Sequence, residues 1–382
     1  MKIGIVCYPT FGGSGVIATE LGKALAKKGH QIHFITYKEP VRLSGFTKNI
    51  FYHEVNVSDY PLFEYTPYEL VLTSKLVDVA QNEGLDLFHV HYAIPHASAA
   101  YMAQKILSFK GKSIPVITTL HGTDITLVGR DSSFEPVISF AIQKSDIVTT
   151  VSESLKYDTF KHFDINREIE VVNNFIDPEN YITSHRNNLR ENYAPNGEKI
   201  LTHISNFRRV KRVEDIVHIF RKVTDDLPAK LLLIGDGEER HNIERLCREL
   251  GTCDDIIFLG KLREIEPILA ASDLFILTSE HESFGLAALE AMATGVPVIS
   301  TNTGGLPEVN KHGITGYLSD VGDVENMGKN AINILQNEER LKKFKKNSIE
   351  HSKNFHIDKI LPQYEKLYEK ALSLKSVDVG AG

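Results

Sequence analysis

Short apolar runs alternate with helix-patterned stretches along this chain, and the alternation starts afresh about halfway. In the first half, residues 2–8, 31–37, 85–91, 115–119, 147–151 and 169–172 read as strands. Between the first two, residues 15–28 carry Ile17, Leu21 and Leu25 on one helical face. Parallel strands are covered on both faces, so they need continuous apolar runs with a helical crossover between them. That spacing predicts an α/β fold class with parallel sheets. The pattern restarts with strand 199–205, helix 213–224, strand 230–235 and helix 238–250. Strands at 256–259, 274–278 and 296–300 follow. Two successive Rossmann-like sheets are therefore expected, which suits 382 residues, too many for one ordinary core. The expected domains are 1–164, completed by an amphipathic helix over 357–375, and 165–356.

Charge and cysteine usage exclude several classes. A net charge of −7 argues against a nucleic-acid binder, which normally shows a basic face. The opening Met1-Lys-Ile-Gly-Ile-Val6 reads as a strand and not as a signal peptide, and no apolar run approaches a membrane span. Cys7, Cys247 and Cys253 are odd in number and lack metal-ligand spacing, so reduced thiols in a cytoplasmic protein are expected. The cluster Lys342-Lys-Phe-Lys-Lys346 is read as a solvated helix face, with membrane contact the weaker reading.

Ligands of open α/β sheets bind at the carboxyl ends of strands. The chemistry-bearing motifs fall there: Pro9-Thr-Phe-Gly-Gly-Ser-Gly15, His121-Gly-Thr-Asp124, Asn206-Phe-Arg-Arg-Val-Lys211 and Gly235-Asp-Gly-Glu238. The richest is Glu282-Ser-Phe-Gly-Leu-Ala-Ala-Leu-Glu290, with Thr303-Gly-Gly-Leu-Pro-Glu308 after it. One carboxylate precedes a glycine that opens a helix, and a second follows eight residues later inside that helix. Gly295 closes the helix and Pro297 prevents its continuation. Carboxylates accept hydrogen bonds from hydroxyls, and helix-start N–H groups face an anion. A sugar nucleotide presents both groups.

Together these residues resemble the retaining GT-B glycosyltransferases of family four, over nearly the whole chain. The resemblance implies two Rossmann-like domains facing across a cleft, with hinge closure excluding water. It implies that Glu290 accepts from the donor ribose hydroxyls. Glu282 would orient a sugar hydroxyl or stabilise charge at the anomeric carbon. Lys211 would meet the diphosphate. The family arginine five residues before that lysine is here Asn206, a departure that leaves Arg208 or Arg209 to supply charge, Arg208 being favoured. Gly12 and Gly13 would let backbone N–H groups approach the β-phosphate, with Gly304, Gly305 and Leu306 acting similarly. Phe284, Gly285 and Leu286 belong to the same donor loop, Arg263 would pack on the uracil, and His121 would lie near the sugar 6-hydroxyl. Glu282, His121 and Lys211 form the expected catalytic set. Asn174 and Asp177 match a family Asn-x-x-Asp whose usual Pro and Gly are missing, and that segment is read as structural.

The opening stretch from Lys2 to Glu20 is similar, more narrowly, to the branch that moves N-acetylglucosamine from UDP-GlcNAc to the hydroxyl of L-malate, the first step of bacillithiol synthesis. A dicarboxylate acceptor needs cations or N–H donors. Arg42 and Arg130, with Ser14, Tyr92 and Thr123 as hydroxyl donors, are the candidates. No Asp-x-Asp motif occurs, so no metal or other cofactor is expected for donor binding. The expected partners are small molecules, UDP-GlcNAc and L-malate, with a homo-oligomer possible. A lipid or polysaccharide acceptor, a non-catalytic sugar-nucleotide sensor and a nicotinamide enzyme remain rival readings. The last rests on Gly13-Ser-Gly-Val-Ile-Ala18, which fits a weak dinucleotide pattern and leaves the second half unexplained.

Overall fold

A computed structural model describes residues 1–43, 47–57, 67–127, 129, 131–181 and 186–378. The chain divides into two compact units, Met1–Asn174 with the segment from Ile357 onward, and Phe175–His356.

The first unit holds strands β1 (Lys2–Val6), β2 (Gln31–Thr36), β3 (Ile50–Glu54), β4 (Leu87–His91), β5 (Val116–Leu120), β6 (Ile147–Thr150) and β7 (Glu170–Val171). They form one sheet in the order β3-β2-β1-β4-β5-β6-β7, and every pairing is parallel. All five residues of β4 and of β5 are buried; β5 is apolar or β-branched throughout, and β4 buries His89 and His91 among its apolar residues. The second unit holds β8 (Lys199–Ile204), β9 (Ala229–Ile234), β10 (Ile256–Gly260), β11 (Leu274–Leu277), β12 (Val298–Thr301) and β13 (Gly316–Ser319). Their order is β10-β9-β8-β11-β12-β13, again parallel throughout.

Chain order reverses once in each sheet, between β1 and β4 and between β8 and β11. Crossovers leave the sheet in opposite directions at such a point, so the loops there part and leave a crevice. Val6 pairs with Val90 across the first reversal, and Leu274 with Leu201 across the second.

The helix Ile357–Asp378 belongs to the first unit, as its amphipathic pattern predicts. Tyr364 and Tyr368 are fully buried, and Tyr368 Oη lies 2.8 Å from His89 Nδ1 of β4. The division between units falls ten residues past the expected crossover at 165. β7 is the reason: Glu170 and Val171 pair with Thr149 and Thr150 of β6, which keeps the segment in the first sheet.

Candidate active site

In the second unit, the site is built from the loops after β8, β9, β11 and β12. The loop after β8 carries Asn206, Arg208 and Lys211. Two of its non-glycine residues have left-handed backbones, Phe207 with φ 38° and Arg212 with φ 48°. Such conformations persist only where surrounding contacts hold them. Here the Phe207 ring is fully buried, and its carbonyl accepts from the Glu239 N–H at 3.0 Å. Glu280 N–H donates to Val210 O at 2.8 Å, and Thr278 Oγ1 donates to Lys211 O at 3.0 Å. The loops after β8 and β11 are thus laced together across the sheet reversal.

That lacing brings Lys211 Nζ to 2.5 Å from Glu282 Oε1, with both side chains less than a fifth exposed. Ser279 Oγ donates to the same carboxylate oxygen at 2.8 Å. Arg212 is engaged elsewhere, donating to Asp215 at 2.6 Å and to Glu280 at 3.1 Å. Asn206, Arg208 and Arg209 are exposed beside it. Between Lys211 and Glu282 an incoming ligand would meet a fixed cation and a fixed carboxylate together. Beneath them, His203 donates from Nδ1 to Ile276 O at 2.9 Å, and burial pulls its pKa down to about 4. It is a neutral prop beneath the pair.

Glycine is obligatory where these loops touch. Gly304 has φ 56°, and a Cβ there would lie 2.0 Å from the Glu282 carbonyl oxygen. A Cβ on Gly305 would lie 2.4 Å from Ser283 O, and the Gly305 N–H donates to Glu282 O at 2.8 Å. Gly304 and Gly305 therefore set the backbone of Glu282. Gly285, with φ 93°, caps the helix Leu286–Ala293. The first N–H groups of that helix have no partner within it. The Phe284 ring, in contrast, is buried and meets Phe355 edge-on at 5.6 Å, so only its backbone remains for a donor. Glu290 is 6% exposed and accepts from Tyr181 Oη at 3.0 Å. The small residues around it leave room for this carboxylate inside the helix packing. Arg263 is exposed after β10.

In the first unit, the expected residues gather at the β1/β4 reversal. The helix Gly13–Lys27 follows β1 with Gly12 as its N-cap. A Cβ on Gly12 would meet only Thr10 Oγ1, at an ordinary 3.5 Å, so packing does not demand glycine there. Tyr92, after β4, has φ 83° and donates to Ser14 Oγ at 2.8 Å. Burial pushes its pKa up to about 12, which keeps the phenol a neutral donor. The Tyr92 ring lies 5.2 Å from that of His121, whose Nε2 is 2.8 Å from His91 Nδ1. Burial pulls the His121 pKa down to about 3. Asp124 accepts from Ala93 N–H at 2.9 Å and Gly122 N–H at 3.1 Å, while burial raises its pKa to about 6. Thr123 is exposed at this edge. Arg42 is half-buried with a left-handed backbone, φ 64°, in the loop after β2. Arg130 lies outside the described residues.

Ser279, His203, Tyr181 and His91 of these clusters escape the sequence reading, and Asp124 enters it only as the end of the His121 motif. Ser279 stands three residues before Glu282, and Asp124 closes the motif that contains His121, so proximity is a usable signal for both. His91 and Tyr181 have none, since each meets its partner only through the fold.

Comparison with known proteins identifies the family. The model of Glycosyltransferase Family 4 matches residues 11–180, and that of Glycosyl transferases group 1 matches residues 185–351. Over 374 residues the chain is 49% identical to the N-acetyl-alpha-D-glucosaminyl L-malate synthase of Bacillus anthracis, covering 97% of each chain. An uncharacterised glycosyltransferase of Methanocaldococcus jannaschii is 26% identical, over 83% of this chain and 84% of its own. Among solved structures, sucrose-phosphate synthase from Thermosynechococcus elongatus superposes with a TM-score of 0.81 at 20% identity, over 98% of this chain and all of its own. Anabaena HepE, solved with UDP and glucose, gives 0.81 at 19% identity, over 97% of this chain and 99% of its own. Two parallel sheets, a lysine–glutamate pair at a sheet reversal and a near full-length relative at 49% identity lead to one conclusion: the chain is an enzyme of the GT-B fold and belongs to the group 1 and family 4 glycosyltransferases.

Proposed function

We propose that the chain transfers N-acetylglucosamine from UDP-GlcNAc to the hydroxyl of L-malate with retention of the α configuration, the first step of bacillithiol synthesis, in the cytoplasm. The observation that carries this reading is the 49% identity over 97% of both chains to an enzyme named for that product. The geometry supports it. Lys211, paired with Glu282 at the sheet reversal, would supply the cation that a departing diphosphate needs, and Arg208 is exposed beside it. Stabilising the leaving group is the main electrostatic demand of such a transfer. Glu290, buried in the middle of the helix Leu286–Ala293, would accept from the ribose hydroxyls. Ser14, Tyr92 and Thr123 supply hydroxyls for the acceptor, with Arg42 and Arg130 as its cations.

In the proposed reaction the malate oxygen attacks the anomeric carbon from the face that UDP leaves. The carbon–phosphate-oxygen bond breaks as the new glycosidic bond forms, and the departing β-phosphate takes the malate hydroxyl proton. Lys211 and the glycine-loop N–H groups hold the charge that develops on UDP, and Glu282 faces the positive charge at the sugar. No divalent metal is required in this scheme.

The test is UDP release from UDP-GlcNAc with L-malate, with D-malate and without acceptor, all in EDTA. Release that requires L-malate is expected. Release restored only by added metal would overturn the metal-free scheme. Donor binding without release would redirect the search to a lipid or polysaccharide acceptor or to a sensor.

A further inference from the structure

Four histidines, His89, His91, His96 and His121, are buried together in the first unit. His89 and His91 stack at 4.6 Å, and His91 and His121 at 5.0 Å. His91, His96 and His121 each have one ring nitrogen tied to a neighbour, while both nitrogens of His89 are engaged, with Tyr368 Oη and Thr119 Oγ1, so the proton positions of the first three can be worked out in order.

His96 Nδ1 lies 2.5 Å from the His91 carbonyl oxygen. A carbonyl only accepts, so this Nδ1 carries the proton and His96 Nε2 is bare. His96 Nε2 is buried with no partner among the described residues, so the forced choice leaves a lone pair unpaired there and not an N–H. His91 poses the same choice. Its Nδ1 lies 2.8 Å from His121 Nε2, and its own Nε2 is buried with no partner among the described residues. If His121 donated, His91 would carry its proton on Nε2, leaving a buried N–H with nothing to accept it. If His91 donates, only a lone pair is left over. A buried, unpaired donor carries the full desolvation cost, and orphaned N–H groups are the rarer defect in folded proteins. Burial and the neighbouring imidazoles hold both rings neutral, so neither orientation is rescued by a second proton.

We propose that His91 is a positioning residue that fixes the His121 proton on Nδ1, so that His121 meets its ligand as a neutral N–H donor and not as a base. With Nε2 occupied, Nδ1 is the nitrogen left for a ligand, and it serves an oxygen that accepts a hydrogen bond. Only the identity of that oxygen, a sugar hydroxyl or an acceptor carboxylate, rests on the transferase reading above. His121 then takes no proton from the acceptor, in keeping with the departing phosphate as the proton's destination in the proposed reaction. Neutral imidazole as a donor also gives no acid limb to the rate profile in the ordinary histidine range.

The deciding measurement is the 15N spectrum of histidine-labelled full-length protein, read through the N–H···N coupling between two rings. Among the described residues one other pair gives such a coupling, His33 Nδ1 with His53 Nε2 at 2.9 Å. His53→Gln removes that signal and identifies the other. The expected result is a bare Nε2 and a protonated Nδ1 on His121, with the coupled proton on His91 Nδ1. A protonated His121 Nε2 overturns the proposal. Two variants extend the test. His91→Asn keeps an N–H near the position of Nδ1, and should preserve both the tautomer and turnover within a few-fold. His91→Leu should release the tautomer and lower kcat roughly tenfold, the worth of one hydrogen bond. Equal kinetics in the two variants, with both folded, would also overturn it. Absence of malate-dependent turnover would count against the proposed reaction while leaving the spectrum of the wild type to decide on His91.

Discussion

Lys211 Nζ and Glu282 Oε1 lie 2.5 Å apart across the one reversal of strand order in the second sheet. Each comes from a different loop, and each loop is held by backbone bonds to the other. Pairing satisfies both charges and sets them side by side, which under the proposed reaction suits a substrate with a diphosphate next to a sugar. A donor that binds here must share Lys211 with Glu282. The cation therefore gains most when the leaving group becomes more negative, in the transition state.

Lys211→Ala should accordingly lower kcat by about 100- to 1000-fold, the effect of removing one electrostatic stabiliser, with a smaller loss in donor affinity. Turnover assays and calorimetric titration with UDP-GlcNAc separate the two. Unchanged turnover in a folded variant would refute the role assigned to Lys211.

Gly304→Ala should act on Glu282 without touching any side chain of the site. The added Cβ would sit 2.0 Å from the Glu282 carbonyl oxygen, in a backbone with φ 56°. A left-handed backbone alone costs on the order of 1 kcal/mol in a non-glycine residue, and the contact adds to it. Gly313→Ala is the control, because φ is 74° there but a Cβ meets nothing within 4 Å. The thermal midpoint should fall more in Gly304→Ala, and donor binding should weaken only there. Equal effects would mean that the backbone approach to Glu282 is unimportant.

The fold was legible where burial writes itself into composition. β4 and β5 are buried on every residue, so their runs stand out, and the helix Leu286–Ala293 is bracketed by Gly285 and Gly295. Edge and late elements carry weaker signals. β3 exposes Phe51 and Tyr52 at the sheet margin, so no apolar run marks it. β13 opens on Gly316, a poor strand former that is needed because a Cβ there would lie 1.7 Å from Val298 O. The second unit's cluster was readable because Glu282, Gly285 and Glu290 are close in sequence. The pairings His91 with His121 and Tyr181 with Glu290 join residues far apart in the chain, and nothing local announces them.

Glu290→Gln should weaken UDP-GlcNAc binding by roughly ten- to a hundredfold, the worth of a hydrogen bond to a charged acceptor. A carboxylate accepts from two hydroxyls at once, whereas an amide turns one acceptor into a donor. Because Tyr181 Oη donates to Glu290 Oε1 at 3.0 Å, the amide oxygen can keep that bond and the fold should survive. Titration of the variant with UDP and with UDP-GlcNAc checks the assignment. Equal losses for both ligands point to the ribose, and a loss confined to UDP-GlcNAc would move Glu290 to the sugar.

Acid should loosen the first unit before the second. Burial holds His89 and His121 at about 3 and His96 at about 4, all below the ordinary 6.5. Between those values and 6.5 the unfolded chain binds protons that the folded chain does not, so stability rises with pH across that window. It is complete above 6.5 and is lost as pH falls toward the folded values. At pH 5 each such histidine has given up about 2 kcal/mol. Asp124 acts in the opposite sense. Its pKa is raised from 3.8 to about 6, so the folded state holds a proton that the unfolded state lacks as pH falls through that range. From pH 7 to 5 this returns about 1.3 kcal/mol, less than one histidine loses over the same range. The second unit has His203, held at about 4 by the same cause, and fewer such groups among its described residues. Hydrogen exchange between pH 7 and 5, corrected for intrinsic rates, should therefore show protection falling further in β4 and β5 than in β8 and β11. Uniform loss across both sheets, or none, would contradict a neutral histidine cluster beneath the first unit's site.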